Sequence, residues 1–181
     1  MSMENMIRAI IHEIGEPEEM REGLKETPRR VMKSWEHLFS GYGHSVGEYM
    51  TVFSTDGYDE IVLLKNIEFY STCEHHMLPF YGVAHIAYLP DKKVVGISKL
   101  ARILELYSRR LQIQERIGVQ VVKALDDHLI PLGSACILEA KHFCMVARGV
   151  EKQNSIMTTS ALTGSFKKEP SARAELMRLI K

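Results

Sequence analysis

The stretch SKLARILELYSRRLQIQERIGVQVVKALDDHL, residues 98–129, decides the fold. Leu100, Ile103, Leu104, Tyr107 and Leu111 recur at helical spacing and form one apolar stripe. Neither glycine nor proline interrupts the stretch before Gly118, so periodicity leaves open whether it is one helix or two. Pro131-Leu132-Gly133 closes it. Ahead of it, residues 61–69 and 80–89 are rich in β-branched and aromatic side chains and predict strands. Pro90-Asp91-Lys92 is turn chemistry, followed by the short apolar run Val94-Val95-Gly96-Ile97. Behind it, residues 135–147 alternate as a strand, residues 155–166 predict another, and residues 171–180 a short final helix. Two strands, a helical segment and two more strands make an α+β order, not a βαβ repeat.

Further upstream the period is helical. Ile7, Ile10, Ile11 and Ile14 line one face of a helix that Gly15-Glu16-Pro17 stops. A second helix is expected from Thr27 as N-cap and Pro28 at the first helical position, with Val31, Trp35, Leu38 and Phe39 as its apolar stripe and Gly41 at its end. Residues 1–58 thus read as a helical extension, and residues 59–181 as the α+β domain.

Composition narrows the function classes. The 181 residues carry 23 Lys+Arg against 23 Asp+Glu, so no global basic excess draws the chain to nucleic acid. With 45% hydrophobic and 25% charged residues it has the composition of a soluble globular domain, and no apolar run approaches the ~18 residues of a membrane span. Met1-Ser2-Met3-Glu4-Asn5 lacks the basic and apolar regions of a signal peptide. Three cysteines, Cys73, Cys136 and Cys144, are too few and odd in number for a disulfide framework. The expectation is a cytoplasmic protein without nucleic-acid or membrane partners.

The chemistry concentrates in Cys73-Glu74-His75-His76 and His142-Phe143-Cys144. Thiolate and imidazole together suit zinc. On a continuous strand, His142, Cys144 and Arg148 would share a face. Cys73, His76 and Cys144 give three ligands and leave a position for water, the catalytic pattern; His75 or His142 as a fourth ligand would make a closed, structural site. Cys136 lies eight residues from Cys144, roughly 26 Å along a strand, and reads as a buried small residue. Lys99 and Arg102 open the helix at Ser98, where cations oppose the helix dipole unless an anion is bound there. Glu115 offers a carboxylate able to accept two N–H bonds from a guanine-like edge. His85, between Val83 and Ala87, reads as a structural histidine.

These segments, with Gly96-Ile97-Ser98-Lys99-Leu100-Ala101-Arg102, Gln112-Ile113-Gln114-Glu115-Arg116 and Cys144-Met145-Val146-Ala147-Arg148-Gly149, resemble the GTP cyclohydrolase I family, in order and separation, from Thr27-Pro28-Arg29-Arg30-Val31 to Phe166. The resemblance implies a T-fold: a four-stranded antiparallel sheet with two antiparallel helices between its second and third strands (ββααββ), behind an N-terminal helical extension. It implies a homodecamer of two pentameric rings with active sites between subunits. The implied reaction turns GTP and water into formate and 7,8-dihydroneopterin triphosphate, the first step of folate- and tetrahydrobiopterin-type pterin synthesis. By that resemblance Cys73, His76 and Cys144 hold Zn2+, which acidifies a water for attack at guanine C8. His142 and His75 are the catalytic histidines. Gln114 and Glu115 form the guanine pocket, and Ser98 lies near the ribose and phosphates. Lys99, Arg102, Arg148 and, from a neighbouring subunit, Arg30 clamp the triphosphate.

Two other readings compete. A T-fold purine- or pterin-binding protein with structural zinc would bind nucleotide without making product. A T-fold nitrile reductase would oxidise NADPH through a cysteine nucleophile, against which the complete zinc constellation argues.

Overall fold

In the N-terminal unit, Met1–Ser40, Ser2 caps helix α1 (Met3–Glu13) by accepting the Asn5 N–H at 3.3 Å. Ile7 and Ile11 are buried where α1 meets α3 (Thr27–Leu38), but Ile10 and Ile14 are 56% and 76% exposed, so the isoleucine stripe narrows to one i, i+4 line. A single turn, α2 (Glu22–Lys25), runs almost directly into α3. Glu26 therefore takes the cap position expected of Thr27, and Pro28 sits in the first turn, where its missing N–H leaves no helical acceptor unpaired. The computed structural model describes residues 1–17 and 19–181.

The second unit is Gly41–Lys181, so residues 41–58 belong with it. Val46, Tyr49 and Met50 pack against its core, and β1 (Val52–Ser54) pairs with β4 (Lys93–Val95) as a two-stranded ribbon. The main sheet has the order β5-β2-β3-β6-β7. Its long strands β2 (Val62–Cys73), β3 (Pro79–Leu89), β6 (Gly133–His142) and β7 (Met157–Leu162) are antiparallel neighbours. The fifth strand, β5 (Leu111–Gln112), was not expected; it runs parallel to the end of β2, pairing Thr72 with Leu111 and Cys73 with Gln112.

That short strand splits the long helical stretch into α4 (Ile97–Ser108) and α5 (Gln114–Leu129). Leu111 fits the helical stripe by spacing, yet the chain there is extended beside Thr72 of β2, and its N–H donates to the Tyr42 hydroxyl at 3.1 Å. Gly41 locks the same corner: its N–H donates to the Arg109 carbonyl at 3.0 Å, and a Cβ there would fall 2.2 Å from the Leu106 carbonyl oxygen. Leu100, Ile103 and Leu104 of α4 and Ile117, Val121 and Leu125 of α5 bury themselves on one sheet face against Phe69, Phe80, Ile86 and Leu138. Alternate residues Ala87, Ala135 and Ile137 face the other side and meet Phe166 of α7 (Gly164–Lys168) and Leu176 of α8 (Pro170–Ile180).

The strand expected over residues 135–147 stops at His142, and Phe143–Val146 form a single helical turn, α6. The period-two placement of His142, Cys144 and Arg148 on one strand face is thereby corrected. Among the described residues no helix is long and apolar enough to cross a membrane.

Candidate active site

Cys73 ends β2 and is held on three sides. Its N–H donates to the Leu78 carbonyl at 2.8 Å, its own carbonyl accepts the Met77 N–H at 2.8 Å, and the next N–H, of Glu74, donates to Gln112 of β5 at 3.0 Å. Met77 takes a left-handed φ of 53°, which closes the loop from β2 to β3 tightly. The ligand atoms of Cys73 and His76 on this loop and of Cys144 on α6 all lie within 4.8 Å of one another. The α6 turn, not strand alternation, delivers Cys144. The Cys73 Sγ lies 3.9 Å from Nδ1 of His76 and equally 3.9 Å from Nδ1 of His75.

Burial pushes the Cys144 thiol up, and the adjacent Cys73 sulfur pushes it further. Two sulfurs this close do not both ionise readily unless a cation lies between them. Two thiols and an imidazole are the soft and borderline donors that zinc prefers, and three of them leave a coordination position free.

The loop is braced from α5. Arg116 grips the Glu74 carboxylate with both terminal nitrogens, at 2.5 and 3.0 Å, and also reaches Gln112 Oε1 at 3.4 Å. The Arg116 guanidinium holds the Glu74 carboxyl below its ordinary range. Nothing in the sequence linked these two residues, because they lie in separate motifs with 42 positions between them.

His142, the last residue of β6, is built differently. Its cross-strand neighbour is Phe80, and the two rings stack at 4.5 Å with planes 6° apart. Such a pair is worth about 0.5–1.5 kcal/mol beyond the area it buries. His142 Nε2 lies 2.8 Å from Gln114 Oε1. Burial pushes the His142 pKa down while the Glu115 charge pulls it back, so the ring is neutral near neutral pH. Gln114 is 1% exposed, and its amide nitrogen donates to the carbonyls of Leu138 (2.9 Å) and Met157 (3.0 Å) and to Thr159 Oγ1 (3.1 Å). The sequence placed Gln114 in a guanine pocket; its side chain instead turns inward to the sheet. Glu115, the next residue, is exposed in the first turn of α5.

Ser98 and Lys99 stand in the first turn of α4, which holds no acidic residue, and Arg102 follows one turn on. Arg148, just past α6, brings Nη1 to 3.3 Å from His76 Nε2. Arg30 lies on α3 in the N-terminal unit, its Nη1 3.5 Å from the Gly23 carbonyl. Cys136 is fully buried in the core, and burial pushes its thiol to about 12. His85 is 4% exposed and its Nδ1 accepts the Asn66 N–H at 3.4 Å, at the bulge in β2. Both are the structural residues the sequence suggested.

Comparison with known proteins meets this geometry from outside. A sequence model of GTP cyclohydrolase I matches residues 3–181. The GTP cyclohydrolase 1 of Wolinella succinogenes is 54% identical over 178 residues, covering 98% of this chain and 95% of the relative. That of Deinococcus radiodurans is 50% identical over 181 residues, with 99% and 83% covered, and that of Leptospira biflexa 48% over 180, with 99% and 98% covered. A crystal structure of the archaeosine synthase QueF-Like in its apo form superposes with a TM-score of 0.50 at 15% identity, over 59% of this chain and 96% of that one, a likeness of fold alone. With the family's sequence pattern spanning nearly the whole chain and a Cys-Cys-His cluster assembled where its motifs fall, this chain belongs to the GTP cyclohydrolase I family.

Proposed function

We propose that the chain converts GTP and water into formate and 7,8-dihydroneopterin triphosphate, with zinc held by Cys73, His76 and Cys144. The observation that carries this reading is the convergence of those three donors within 4.8 Å, from a β2–β3 loop and a separate helical turn. The donor set fits zinc because the neighbouring thiols need a cation to ionise together. When bound, zinc supplies the Lewis acidity that prepares a water for attack at guanine C8.

The chain's own residues do the rest. The exposed Glu115 carboxylate offers two acceptors to the N1–H and 2-amino donors of guanine. Gln114, at the first position of α5, adds a main-chain N–H that has no acceptor within the helix. Lys99 and Arg102, at a helix start free of carboxylates, bind the triphosphate with Arg148, and Arg30 joins them from a neighbouring subunit. Ser98 lies by the ribose and phosphates. His142, neutral at rest, handles the proton at the imidazole nitrogen of guanine as the ring opens. His75, on the metal loop, handles protons around the water and the ribose.

The long strands with α4 and α5 between β3 and β6 support a T-fold, widened by β5. The outer side of β7 is an open sheet edge that a second copy would cover in a decamer of two pentameric rings. Three free cysteines support a cytoplasmic setting.

One observation favours a second reading. His75 Nδ1 is as near the Cys73 sulfur as His76 Nδ1 is, and His75 as fourth ligand would close the site into a structural one. Formate release from GTP, with the fluorescence of the pterin product, decides between them. Release that stops on chelation and returns with zinc supports the enzyme; tight GTP binding without formate, from protein carrying one zinc per chain, selects the binding protein.

A further inference from the structure

We infer that the Gln114 side chain positions His142 and does not read the guanine, an inference that rests on the cyclohydrolase reading. Every polar atom of the amide has a partner inside the protein. Its nitrogen faces two backbone carbonyls, Leu138 at 2.9 Å and Met157 at 3.0 Å, and the Thr159 hydroxyl at 3.1 Å. Carbonyls only accept, so the amide cannot be turned around, and Oε1 necessarily faces His142. Oε1 in turn only accepts, so the hydrogen in the 2.8 Å contact belongs to His142 Nε2. Nε2 is thereby taken up by Gln114, and Nδ1 is the ring nitrogen left to face a substrate.

Two contacts fix the ring in complementary ways. The parallel stack on Phe80, 6° between planes, sets the plane of the imidazole. The Gln114 bond sets which edge points inward. Neither alone would fix both, because a stacked ring still turns over and a hydrogen-bonded ring still tilts.

The same amide ties three elements together. It starts α5, bonds β6 at Leu138 and bonds β7 at Met157 and Thr159. Its neighbour Glu115 is the proposed reader of guanine. The group that orients the base and the group that moves its proton are thus held on one frame, by consecutive residues. At 1% exposure Gln114 has no side-chain surface to offer a nucleotide.

The test uses wild type, Gln114→Met and Gln114→Glu as full-length proteins, with kcat and KM for GTP measured by formate release, zinc counted per chain, and a crystal structure of each. Wild type that makes no formate overturns the cyclohydrolase reading, whatever the variants do. With wild type active, Gln114→Met is expected to keep its zinc and to hold KM within about threefold, while kcat falls about a hundredfold, the scale of one displaced proton-transfer group. Its His142 ring should leave the single orientation stacked on Phe80. Gln114→Glu keeps one oxygen toward His142 but sets the other against the Leu138 and Met157 carbonyls, so its kcat should fall as in Gln114→Met, with KM again within about threefold. An unchanged kcat in Gln114→Met, or a KM raised about tenfold with kcat preserved, overturns the inference, the latter because it marks a direct guanine contact. If neither variant folds, a crystal structure of the wild type with a non-hydrolysable GTP analogue decides: Gln114 Oε1 still on His142, with no side-chain atom in hydrogen-bond reach of the guanine, supports the assignment, and a side chain turned onto the base ends it.

Discussion

The two halves of the site are held by opposite means. Beyond the buried Cys73 the metal loop is exposed, and its brace is a charged clasp at the surface, Glu74 on Arg116, with side chains 31% and 42% exposed. His142 is half-buried and its brace is buried and neutral: a stack on Phe80 and an amide whose partners lie inside the protein. A surface ion pair contributes little net stability, being screened by salt and water. A buried, fully partnered amide is costly to disturb, because each lost bond leaves a desolvated donor or acceptor behind. The metal loop is thus free to adjust as a cation is taken up, while the proton-transfer half keeps one geometry.

Three substitutions break or sharpen that contrast. The largest effect is expected from Glu115→Gln, at the start of the buried frame but facing outward. Losing one charge-assisted acceptor pair should raise the KM for GTP about 10- to 100-fold and erode discrimination against ATP. Competition binding of the two nucleotides checks this; unchanged discrimination removes Glu115 from the guanine pocket.

Next is Glu74→Gln, which cuts the clasp on the exposed side. Zinc affinity should fall about tenfold, at the low end for residues supporting metal ligands, with folding stability almost unchanged. Titration against a competing chelator reads the first and thermal melting the second. A large loss of stability with no change in zinc affinity would reverse the contrast drawn here.

The smallest effect concerns the buried histidine outside the site. Burial holds the His85 pKa below its ordinary value, so the folded state keeps it neutral while the unfolded state takes up a proton. The stability this gives is present above the ordinary histidine pKa of about 6.5 and is lost as pH falls below it. Melting between pH 7.5 and 5.5 should therefore drop by a few degrees less in His85→Gln, which keeps a neutral acceptor for the Asn66 N–H. Parallel slopes in the two proteins would show that His85 contributes nothing to the acid sensitivity.

What the sequence made legible follows the same division. The Cys73-Glu74-His75-His76 cluster is local, and its metal chemistry could be read from residue types and spacing. The α+β order was equally plain, since strands and helices announce themselves by period. Three features were not. Leu111 matches a helical stripe, and only the pairing of β5 with β2 reveals that the chain is extended there. Cys144 reaches the cluster from a helical turn that begins where the strand alternation of residues 135–142 ends. Gln114 enters the guanine pocket through the family motif it shares with Glu115; the carbonyl partners of its side chain are 24 and 43 residues away, beyond any local pattern. Each is a case of tertiary pairing that local propensity does not show.

The most direct measurement is zinc content and formate release in His142→Ala, determined side by side on the same preparation. If Cys73, His76 and Cys144 hold the metal and His142 moves the proton, the variant retains one zinc per chain and binds GTP, yet releases formate at least about a hundredfold more slowly. Loss of the zinc together with the activity would make His142 a ligand, and the division of the site into a metal loop braced at the surface and a proton-transfer half braced from the core would be wrong.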